Sequence, residues 1–421
     1  MLSRDRIKKQ GGKEMTQKCV LIIATMDTKG EEVRYLESCF TGLNMPFITL
    51  DAGIKGDSPF PVAIKREDVA IKGGMNIEEI RNLGHEGEAI SIMSKGALEW
   101  AEELYKKGKI GGIIGIGGSM GTTLATYVMR SFPIGFPKVM ITTMGSRDTR
   151  PFVGTKDIIM LHSVCDLSGI NRITEKVLRN GALSIAGMIT GAMEFPEPSR
   201  PLVILSTLGT TEIAAQYIRS ALKDRGKEII VFHTNGSGGQ AMEETIEKEK
   251  VELVIDLSLH ELVDHYFGGD YDAGPTRGSC ALKKGIPSIL IPGNIDFIVT
   301  GPLSKAKKYF PGREYHVHND AITTIRTKKR ELEQIAELIS SFCKNAKGPI
   351  SLMIPSGGFS IWGKKGHSFY DPDGIKLFIK TIKKELPSHV LLEILPYNIN
   401  DLEFAKAVVD KADTFLNQYE R

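Results

Sequence analysis

The residues best suited to chemistry in this sequence form a turn rich in glycine and hydroxyl side chains at 115–123 (GIGGSMGTT). The turn follows the apolar run 110–116 and precedes a helical pattern, so the first N–H groups of a helix are expected to be free there. Free amides at a helix start bind anions, and hydroxyl groups add donors. We therefore predict a phosphate or carboxylate site, with a plain strand-to-helix turn as the alternative. Its predicted ligand-binding residues are Gly117, Gly118, Ser119, Met120, Gly121 and Thr122.

A second polar group lies where the first apolar strand pattern ends. In open α/β sheets ligands bind at the carboxyl ends of strands, so these side chains are expected to reach the same ligand. Lys29 supplies a positive charge for a phosphate, and Asp27 would contribute to a magnesium site if that ion is used. The alternative for Asp27 is a helix cap. The predicted residues are Thr25, Asp27, Thr28 and Lys29, joined by Thr143 behind another strand.

The second half of the sequence carries acid–base side chains at and beyond the ends of its own strand patterns. Carboxylates and an imidazole in one crevice suit proton transfer or metal binding. The candidate catalytic residues are His233, Asp256, Glu261 and Asp296. Neighbouring hydroxyl and glycine residues are predicted to bind a small substrate. These are Thr210, Gly236, Ser237, Gly238 and Gly239.

The pair His316 and His318 is a weak candidate for metal binding. Residues two apart in a strand share one face, so the two imidazoles would lie side by side. Histidine pairs are more often loop residues than ligands, and the sequence has no C-x-x-C pair. We therefore predict no metal site beyond this weak candidate.

The elements that would position these residues alternate short apolar runs with amphipathic stretches. This βαβ order predicts parallel sheets covered by helices on both faces. Residues 52–95 interrupt the order, and their glycine and charge content predicts a long lid or partner-binding loop. Strands are predicted at 18–25, 45–50, 110–116, 138–143, 202–207, 228–233, 251–257, 288–291, 351–354 and 390–395. Helices are predicted at 31–40, from the glycine turn to 130, and at 212–224, 241–250, 328–345 and 401–418.

A domain boundary is predicted near residue 194, because three prolines within residues 194–201 favour a stiff linker. The predicted domains are 18–193 and 200–418, joined by 194–200. The two halves look related, since residues 23–28 match residues 205–210 after equivalent strands. The predicted fold class is therefore α/β, with two tandem Rossmann-like, doubly wound domains and mostly parallel sheets.

Composition excludes several classes of protein. A formal net charge of +3 over 421 residues is too small to favour nucleic acid or an anionic membrane as partner. No apolar run approaches the roughly 20 residues that cross a bilayer. The first 17 residues are too polar for a secretory signal, and Met15 is a second candidate start. Five cysteines without a C-x-x-C pair fit a reducing compartment, so we expect a cytoplasmic protein.

Seven motifs, taken together and in order, resemble those of one known family, and the resemblance covers residues 18–416. They are 24–32 (ATMDTKGEE), 117–122, 236–243 (GSGGQAME), 272–275 (DAGP), 292–296 (PGNID), 316–319 (HVHN) and 369–372 (FYDP). The chain is similar to the Tm-one-like ATP-binding family. That family comprises uncharacterised microbial proteins and the amino-terminal region of the tomato mosaic virus resistance protein.

The resemblance implies two Rossmann-like domains and, from the plant relative, nucleotide binding by the amino-terminal domain. This binding is carried over only to the matching positions, which are Thr25, Asp27, Thr28, Lys29 and the turn 117–122. The plant relative's inhibition of a viral replication protein depends on surfaces that motifs do not report, so it is not carried over. ATP is therefore the expected cofactor, with magnesium if that ion is used.

The first functional hypothesis is a nucleotide-binding protein that acts as an enzyme on a small polar or acidic substrate in the crevice between the domains. One alternative is a metal-dependent hydrolase or lyase of small acids centred on the second domain. Another is a non-catalytic module in which ATP orders a protein-binding loop within 52–95, which is also the candidate contact for a second copy of the chain. No P-loop occurs, and the motifs dictate no reaction.

Overall fold

The computed structural model describes residues 18–191 and 200–419, and these form two compact units, one from each range. We call them the amino-terminal and carboxy-terminal units and describe each by itself. Residues 1–17, including the second candidate start, lie outside the described residues, as does the linker predicted at 194–200 apart from residue 200.

The amino-terminal unit is built on a parallel sheet. Within its described residues the strands are β1 Cys19–Ala24, β2 Phe47–Asp51, β3 Ile110–Gly117, β4 Lys138–Thr142 and β5 Ile159–His162. Their order is β2-β1-β3-β4-β5, and every neighbouring pair is parallel. The chain runs outward from β1 to one side and then from β3 to the other, so the carboxyl ends of β1 and β3 flank a topological switch point.

Helices cover both faces of this sheet, as expected for a doubly wound fold. They are α1 Met26–Gly42, α2 Arg66–Lys72, α3 Ile77–Arg81, α4 Glu86–Lys106, α5 Ser119–Arg130, α6 Arg150–Val153 and α7 Thr174–Thr190. Alternate residues of β1 point to opposite faces. Ile22 packs in the core under α1 and α7, whereas Ile23 packs in the core under α4 and α5.

The long loop predicted at 52–95 is wrong in part, because this segment contains α2, α3 and the first half of α4. The helices α2 and α4 pack closely, and a Cβ on Gly96 would overlap the carbonyl oxygen of Val69. Met93 and Ala97 are fully buried against the sheet. Gly96, directly after the segment predicted as a loop, is therefore a helix-packing residue.

The carboxy-terminal unit repeats this architecture around a larger parallel sheet. Its parallel strands are β6 Leu202–Thr207, β7 Glu228–His233, β8 Val251–Asp256, β9 Ser288–Leu290, β13 Ile350–Pro355 and β14 Leu391–Leu395. From one edge the order is β7-β6-β8-β9-β13-β14, which begins as the first sheet does, with β6 in the place of β1. The two segments that match in sequence, 23–28 and 205–210, thus follow topologically equivalent strands.

Three antiparallel strands and eight helices complete the described part of this unit. The strands β10 Phe297–Thr300, β11 Tyr315–Asn319 and β12 Ile322–Arg326 form a separate small sheet in the order β10-β12-β11. The helices are α8 Glu212–Asp224, α9 Ser237–Lys248, α10 His260–Phe267, α11 Cys280–Lys284, α12 Leu303–Tyr309, α13 Lys329–Lys344, α14 Pro372–Glu385 and α15 Leu402–Tyr419. The fold class predicted from the sequence is confirmed, although the antiparallel sheet was not predicted.

The helices of the two described ranges include none with the length and apolar character needed to span a membrane.

Candidate functional site

A cavity of about 610 Å³ opens at the switch point of the amino-terminal unit. The β1–α1 turn, the β3–α5 turn and the segment from β2 to α4 build its walls. Eight of the residues predicted to bind a cofactor line it, and the rest of the lining comes mainly from 52–90. The predicted residues that line it are Thr25, Asp27, Thr28, Lys29, Gly118, Ser119, Met120 and Gly121.

The start of α5 presents unoccupied backbone donors to this cavity. Gly118 is the residue before the helix, and its carbonyl accepts the N–H of Thr122 at 2.9 Å. The N–H groups of Ser119, Met120 and Gly121 have no acceptor among the residues that the structure describes. Three adjacent free amides at a helix start, next to an open cavity, are an arrangement that can bind an anion.

The two central glycines of this turn have different roles. A Cβ on Gly117 would lie 2.9 Å from the Cα of Gly121, so Gly117 allows the helix to approach the end of β3. A Cβ on Gly118 would meet only the Thr143 hydroxyl, at 3.9 Å, and would otherwise enter the cavity. Gly118 therefore leaves space for a ligand, whereas Gly117 serves the packing of the turn.

Gly117, Thr122 and Thr143 do not belong to the lining of the cavity. The Thr122 hydroxyl is buried, where it donates to the Gly118 carbonyl at 2.7 Å and shares a hydrogen bond of 2.6 Å with the Thr142 hydroxyl. Thr143 begins a short 3-10 helix behind β4. These residues support the turn from behind.

The β1–α1 turn forms the second polar wall. The hydroxyls of Thr25 and Thr28 lie 2.8 Å apart, and Lys29 donates from Nζ to the carbonyl of Leu167 at 2.7 Å. Asp27 does not cap α1, because the helix begins at Met26 and no side chain caps it. A neutral carbonyl oxygen thus holds Lys29 at the wall. This contact does not neutralise the positive charge of Lys29.

Asp27 instead connects this wall to the loop after β2. Its Oδ2 accepts the N–H of Gly56 at 3.0 Å, while its Oδ1 is buried and has no partner among the described residues. Asp51, at the end of β2, accepts the N–H groups of Met26 at 3.0 Å and of Gly53 at 2.8 Å. Burial raises the pKa of Asp51. Asp51 was not predicted from the sequence, although an acid at the end of the second strand of such a fold is itself a signal.

The remaining wall is apolar and was also missed from the sequence. It is formed by Ala52, Ile54, Ile80, Leu83, Ala89, Ile90 and Leu124. Charged side chains stand at its edge: Lys55 contacts Glu86 at 2.7 Å, and both are largely exposed. Arg81 donates from Nε to the carbonyl of Ile54 at 2.8 Å, which holds the guanidinium against the loop. The cavity thus combines a polar half at the strand ends with an apolar half under α3 and α4.

In the carboxy-terminal unit, two candidate catalytic residues belong to a buried ion-pair network. The guanidinium of Arg277 is fully buried and contacts both oxygens of Asp256, at 2.6 and 2.8 Å. It also donates from Nε to Glu261 at 2.6 Å. Glu243 lies 3.6 Å from the same guanidinium, and burial raises its pKa. These carboxylates hold the end of β8 and the following loop together.

The glycine turn predicted to bind substrate is occupied by the same network. Glu261 accepts the N–H groups of Gly236 at 2.7 Å and of Gly239 at 2.9 Å. Gly238 donates its N–H to the side chain of Asn235 at 3.0 Å. A Cβ on Gly239 would overlap the Glu261 carboxylate. The anion at this helix start is therefore a side chain of the protein, and these amides are not offered to a ligand.

The switch point of the carboxy-terminal unit is filled by polar side chains. Asn294 is fully buried with a positive φ of 61°, and its amide nitrogen donates to the hydroxyl of Ser258 at 2.9 Å. The hydroxyl of Thr210 donates to the amide oxygen of Asn294. The carbonyl of Thr210 accepts the side chain of Asn400 at 2.8 Å. Thr210, predicted to bind substrate, is hydrogen-bonded within the unit.

Asp296 lies beside this network and its protonation is expected to make stability depend on pH. Burial raises the pKa of Asp296 from 3.8 to about 6. Smaller effects lower it, among them the hydrogen bond of 2.6 Å that the Ser360 hydroxyl donates to Asp296, and the charge of His260. Because the pKa of Asp296 is higher in the folded protein than in the unfolded chain, Asp296 stabilises the folded protein below pH 3.8. This contribution is lost as pH rises to about 6. At 1.36 kcal/mol per pKa unit the loss is about 3 kcal/mol.

The variant Asp296→Asn removes this titration. The free energy of unfolding of Asp296→Asn and of the parent protein is measured by urea denaturation between pH 3 and 7. The difference between the two is expected to change by about 3 kcal/mol in favour of the variant as pH rises across that range. Asp401→Asn, which removes a partly exposed ion pair with Lys364 and alters a hydrogen bond from the N–H of Asn398, is the control for a generic Asp-to-Asn change over the same range. A constant difference between Asp296→Asn and the parent protein would contradict the raised pKa.

The histidine candidates are separated from these clusters. His233 is exposed at the end of the edge strand β7. His316 packs against Trp362, with ring centroids 4.5 Å apart, while His318 is exposed. Burial lowers the pKa of His316. Over the ranges 18–191 and 200–419, no group of three His, Cys, Asp or Glu side chains is placed to hold a metal ion.

Two family models cover nearly the whole chain. The model of the "Uncharacterised protein family (UPF0261) N-terminal domain" matches residues 18–194, and that of the C-terminal domain matches residues 200–416. The chain belongs to the UPF0261 family. The resemblance stated from the motifs is thereby confirmed, because the tomato protein named in it is also a relative of this chain.

Two UPF0261 relatives and one solved structure illustrate the range of similarity. A "UPF0261 protein" of Clostridium tetani is 36% identical over 94% of this chain and 98% of its own length. The "ToMV resistance protein Tm-1(GCR237)" of Solanum lycopersicum is 30% identical over 93% of this chain and 55% of its own length. A Methanocaldococcus jannaschii UDP-GlcNAc 2-epimerase structure aligns over 95% of this chain and 93% of its own, at 9% identity and a TM-score of 0.22. That likeness is too low to support an argument.

Proposed function

We propose that the amino-terminal unit binds a nucleotide, with ATP as the first candidate, in the cavity at the end of β1 and β3. The observation that carries the proposal is the set of three free amides at the start of α5, facing a cavity of about 610 Å³. Cavities that bind small molecules in proteins span roughly 300–1,000 Å³, so the volume suits a ligand of this size.

The phosphates are assigned to the polar half of the cavity. The amides of Ser119, Met120 and Gly121 and the positive end of the α5 dipole attract negative charge. The ammonium of Lys29 stands on the facing wall, where its protein partner is a carbonyl oxygen rather than a carboxylate. Asp27 is the acid on that wall that would contact a magnesium ion accompanying the phosphates, and its buried Oδ1 lacks a partner in the described chain.

The base is assigned to the apolar half. Aliphatic side chains from the β2–α4 segment and from α5 provide surface for a flat ring, with Leu124 and Ile90 among them. Met120, at the start of α5, is 38% exposed although it lines the cavity, so it is available to cover a bound ring. The conformation of the β2–α4 segment would then depend on whether a nucleotide is bound.

Direct binding measurements test the proposal. With 1 mM ATP and a dissociation constant near 10 µM, linkage stabilises the unit by about 2.7 kcal/mol. For a unit of this size the midpoint of thermal unfolding is expected to rise by about 5–10 °C. ADP at the same concentration shows how much the γ-phosphate contributes to binding, and GTP shows how much the base contributes. Calorimetric titration gives the stoichiometry. A thermal midpoint that none of the three nucleotides moves would contradict the proposal.

Turnover is a separate question that the same samples answer. Release of inorganic phosphate from ATP, alone and with small carboxylic acids, distinguishes an enzyme from a module that binds ATP without consuming it. In the second case, binding should change hydrogen exchange in α3 and α4, because Ile80 and Ile90 line the cavity.

A further inference from the structure

A second cavity, of about 590 Å³, lies in the carboxy-terminal unit where β6 and β7 begin. The first residue pair of these strands is Leu202 with Glu228, so this is the amino edge of the parallel sheet. The candidate residues discussed above follow the carboxyl ends of strands, at the opposite edge. The lining consists of Arg200, Arg219, Ser220, Lys223, Lys227, Glu228 and Ile229.

The lining of this cavity is strongly basic. Four cationic side chains face one carboxylate, which gives a formal net charge of +3. Among the described residues, three of the cations, Arg200, Arg219 and Lys223, have no carboxylate within 4 Å and no side-chain hydrogen bond. Arg225 is a useful contrast, because it lies outside the cavity and pairs with Asp413 at 2.9 Å.

The geometry brings these cations together from separate segments. Arg219 and Lys223 are four residues apart on α8, so they share one face of the helix, where like charges repel. Arg200 precedes β6 and Lys227 precedes β7. The carboxyl end of α8 offers Lys223 a favourable dipole, but that does not explain why two further segments place cations in the same cavity. A bound anion would relieve the repulsion among Arg200, Arg219 and Lys223.

We propose that this cavity binds a compact polyanion bearing phosphate groups, such as inorganic pyrophosphate or a phosphorylated small molecule. Guanidinium groups form paired hydrogen bonds with phosphate oxygens, and an ammonium adds a point charge. Arg219 and Lys223 are assigned to the anion, with the hydroxyl of Ser220 as a further donor. The site is independent of the nucleotide cavity, which lies in the other unit.

Pyrophosphate is the probe, and the full-length chain carrying Gly118→Val is the background. That background removes competition from the amides of α5, and binding in it does not depend on whether the amino-terminal unit takes nucleotides. Calorimetric titration at 50 mM salt is expected to show one saturable site. Its association constant should fall at higher salt, since the interaction is electrostatic.

The double variant Arg219→Gln/Lys223→Gln is expected to weaken pyrophosphate binding at least 10-fold. The matched control is Lys307→Gln/Lys308→Gln, which removes two exposed cations from α12, outside the cavity. It should change binding less than about 2-fold, because screening weakens distant charges. Circular dichroism on both variants verifies that the fold is kept.

Three results would overturn the inference. The first is no saturable binding of pyrophosphate to the Gly118→Val chain. The second is an equal loss in the control and the cavity variant, which would indicate a response to net charge. The third is binding of citrate, which carries a similar charge on carboxylates, as tightly as pyrophosphate.

Discussion

Replacing Gly118 with valine is expected to lower nucleotide affinity at least 100-fold while changing the free energy of unfolding by no more than about 1 kcal/mol. A 100-fold loss corresponds to about 2.7 kcal/mol of binding free energy. The structure allows this separation because the nearest atom to a Cβ at this position is the Thr143 hydroxyl, 3.9 Å away. The new methyl groups would occupy the space beside the free amides of α5, where the phosphates are placed.

The matched control is Gly209→Val. Gly209 is exposed in the turn after β6 of the carboxy-terminal unit, a Cβ there meets nothing within 4 Å, and the residue does not line the nucleotide cavity. Calorimetric titration with ATP and urea denaturation should be run on both variants. Full nucleotide affinity in Gly118→Val would falsify the assignment of the phosphates to α5. Equal loss of affinity in both variants would point to a general effect of valine in turns.

Replacing Arg277 with methionine is expected to destabilise the carboxy-terminal unit by about 3–5 kcal/mol. Removing one partner of a buried ion pair strands the other charges in a medium that solvates them poorly. Here Asp256 and Glu261 would both lose their contacts with the guanidinium, at 2.6 Å each. Burial already raises the pKa of Glu261, and loss of the guanidinium would favour its protonation further, so proton uptake would offset part of the loss.

Two further variants separate the possible causes of that loss. Arg225→Met, which breaks the partly exposed pair with Asp413, should cost less than about 1 kcal/mol. Combining Arg277→Met with Asp256→Asn and Glu261→Gln removes the two stranded charges closest to the guanidinium, leaving Glu243 at 3.6 Å, and should restore much of the stability. Urea denaturation measures all three proteins. If the combined variant is as unstable as Arg277→Met alone, lost packing and not uncompensated charge is the cause.

The strands that carry the candidate sites were predicted closely from the sequence. The strands β6 and β7 and the helix α8 have the predicted limits, and β3 differs from its prediction by one residue. Buried parallel strands are short apolar runs bounded by turn residues, so their ends can be located locally. The turn after β3 was predicted to hold an anion for the same local reason, and its amides are unoccupied among the described residues.

The apolar half of the nucleotide cavity could not be predicted in this way. All of its residues except Leu124 come from 52–90, a segment predicted from the sequence to be a loop. Short helices such as Ile77–Arg81 have too few turns to show a clear period. The packing of α2 on α4 through Gly96 depends on two segments far apart in the chain. Only the folded unit shows which of these apolar side chains face the ligand and which face the core.

The contrast between two glycine turns shows the division between sequence and tertiary structure. The turns at 117–121 and 236–239 have the same local pattern, and the sequence by itself determined that each would place backbone amides at a helix start behind a parallel strand. The structure decided which amides are free: Glu261, more than 20 residues away, occupies Gly236 and Gly239, whereas Ser119 and its neighbours have no such acceptor among the described residues. Backbone geometry at a turn is set by neighbouring residues, but the partner of a hydrogen bond is selected by distances that only the fold creates.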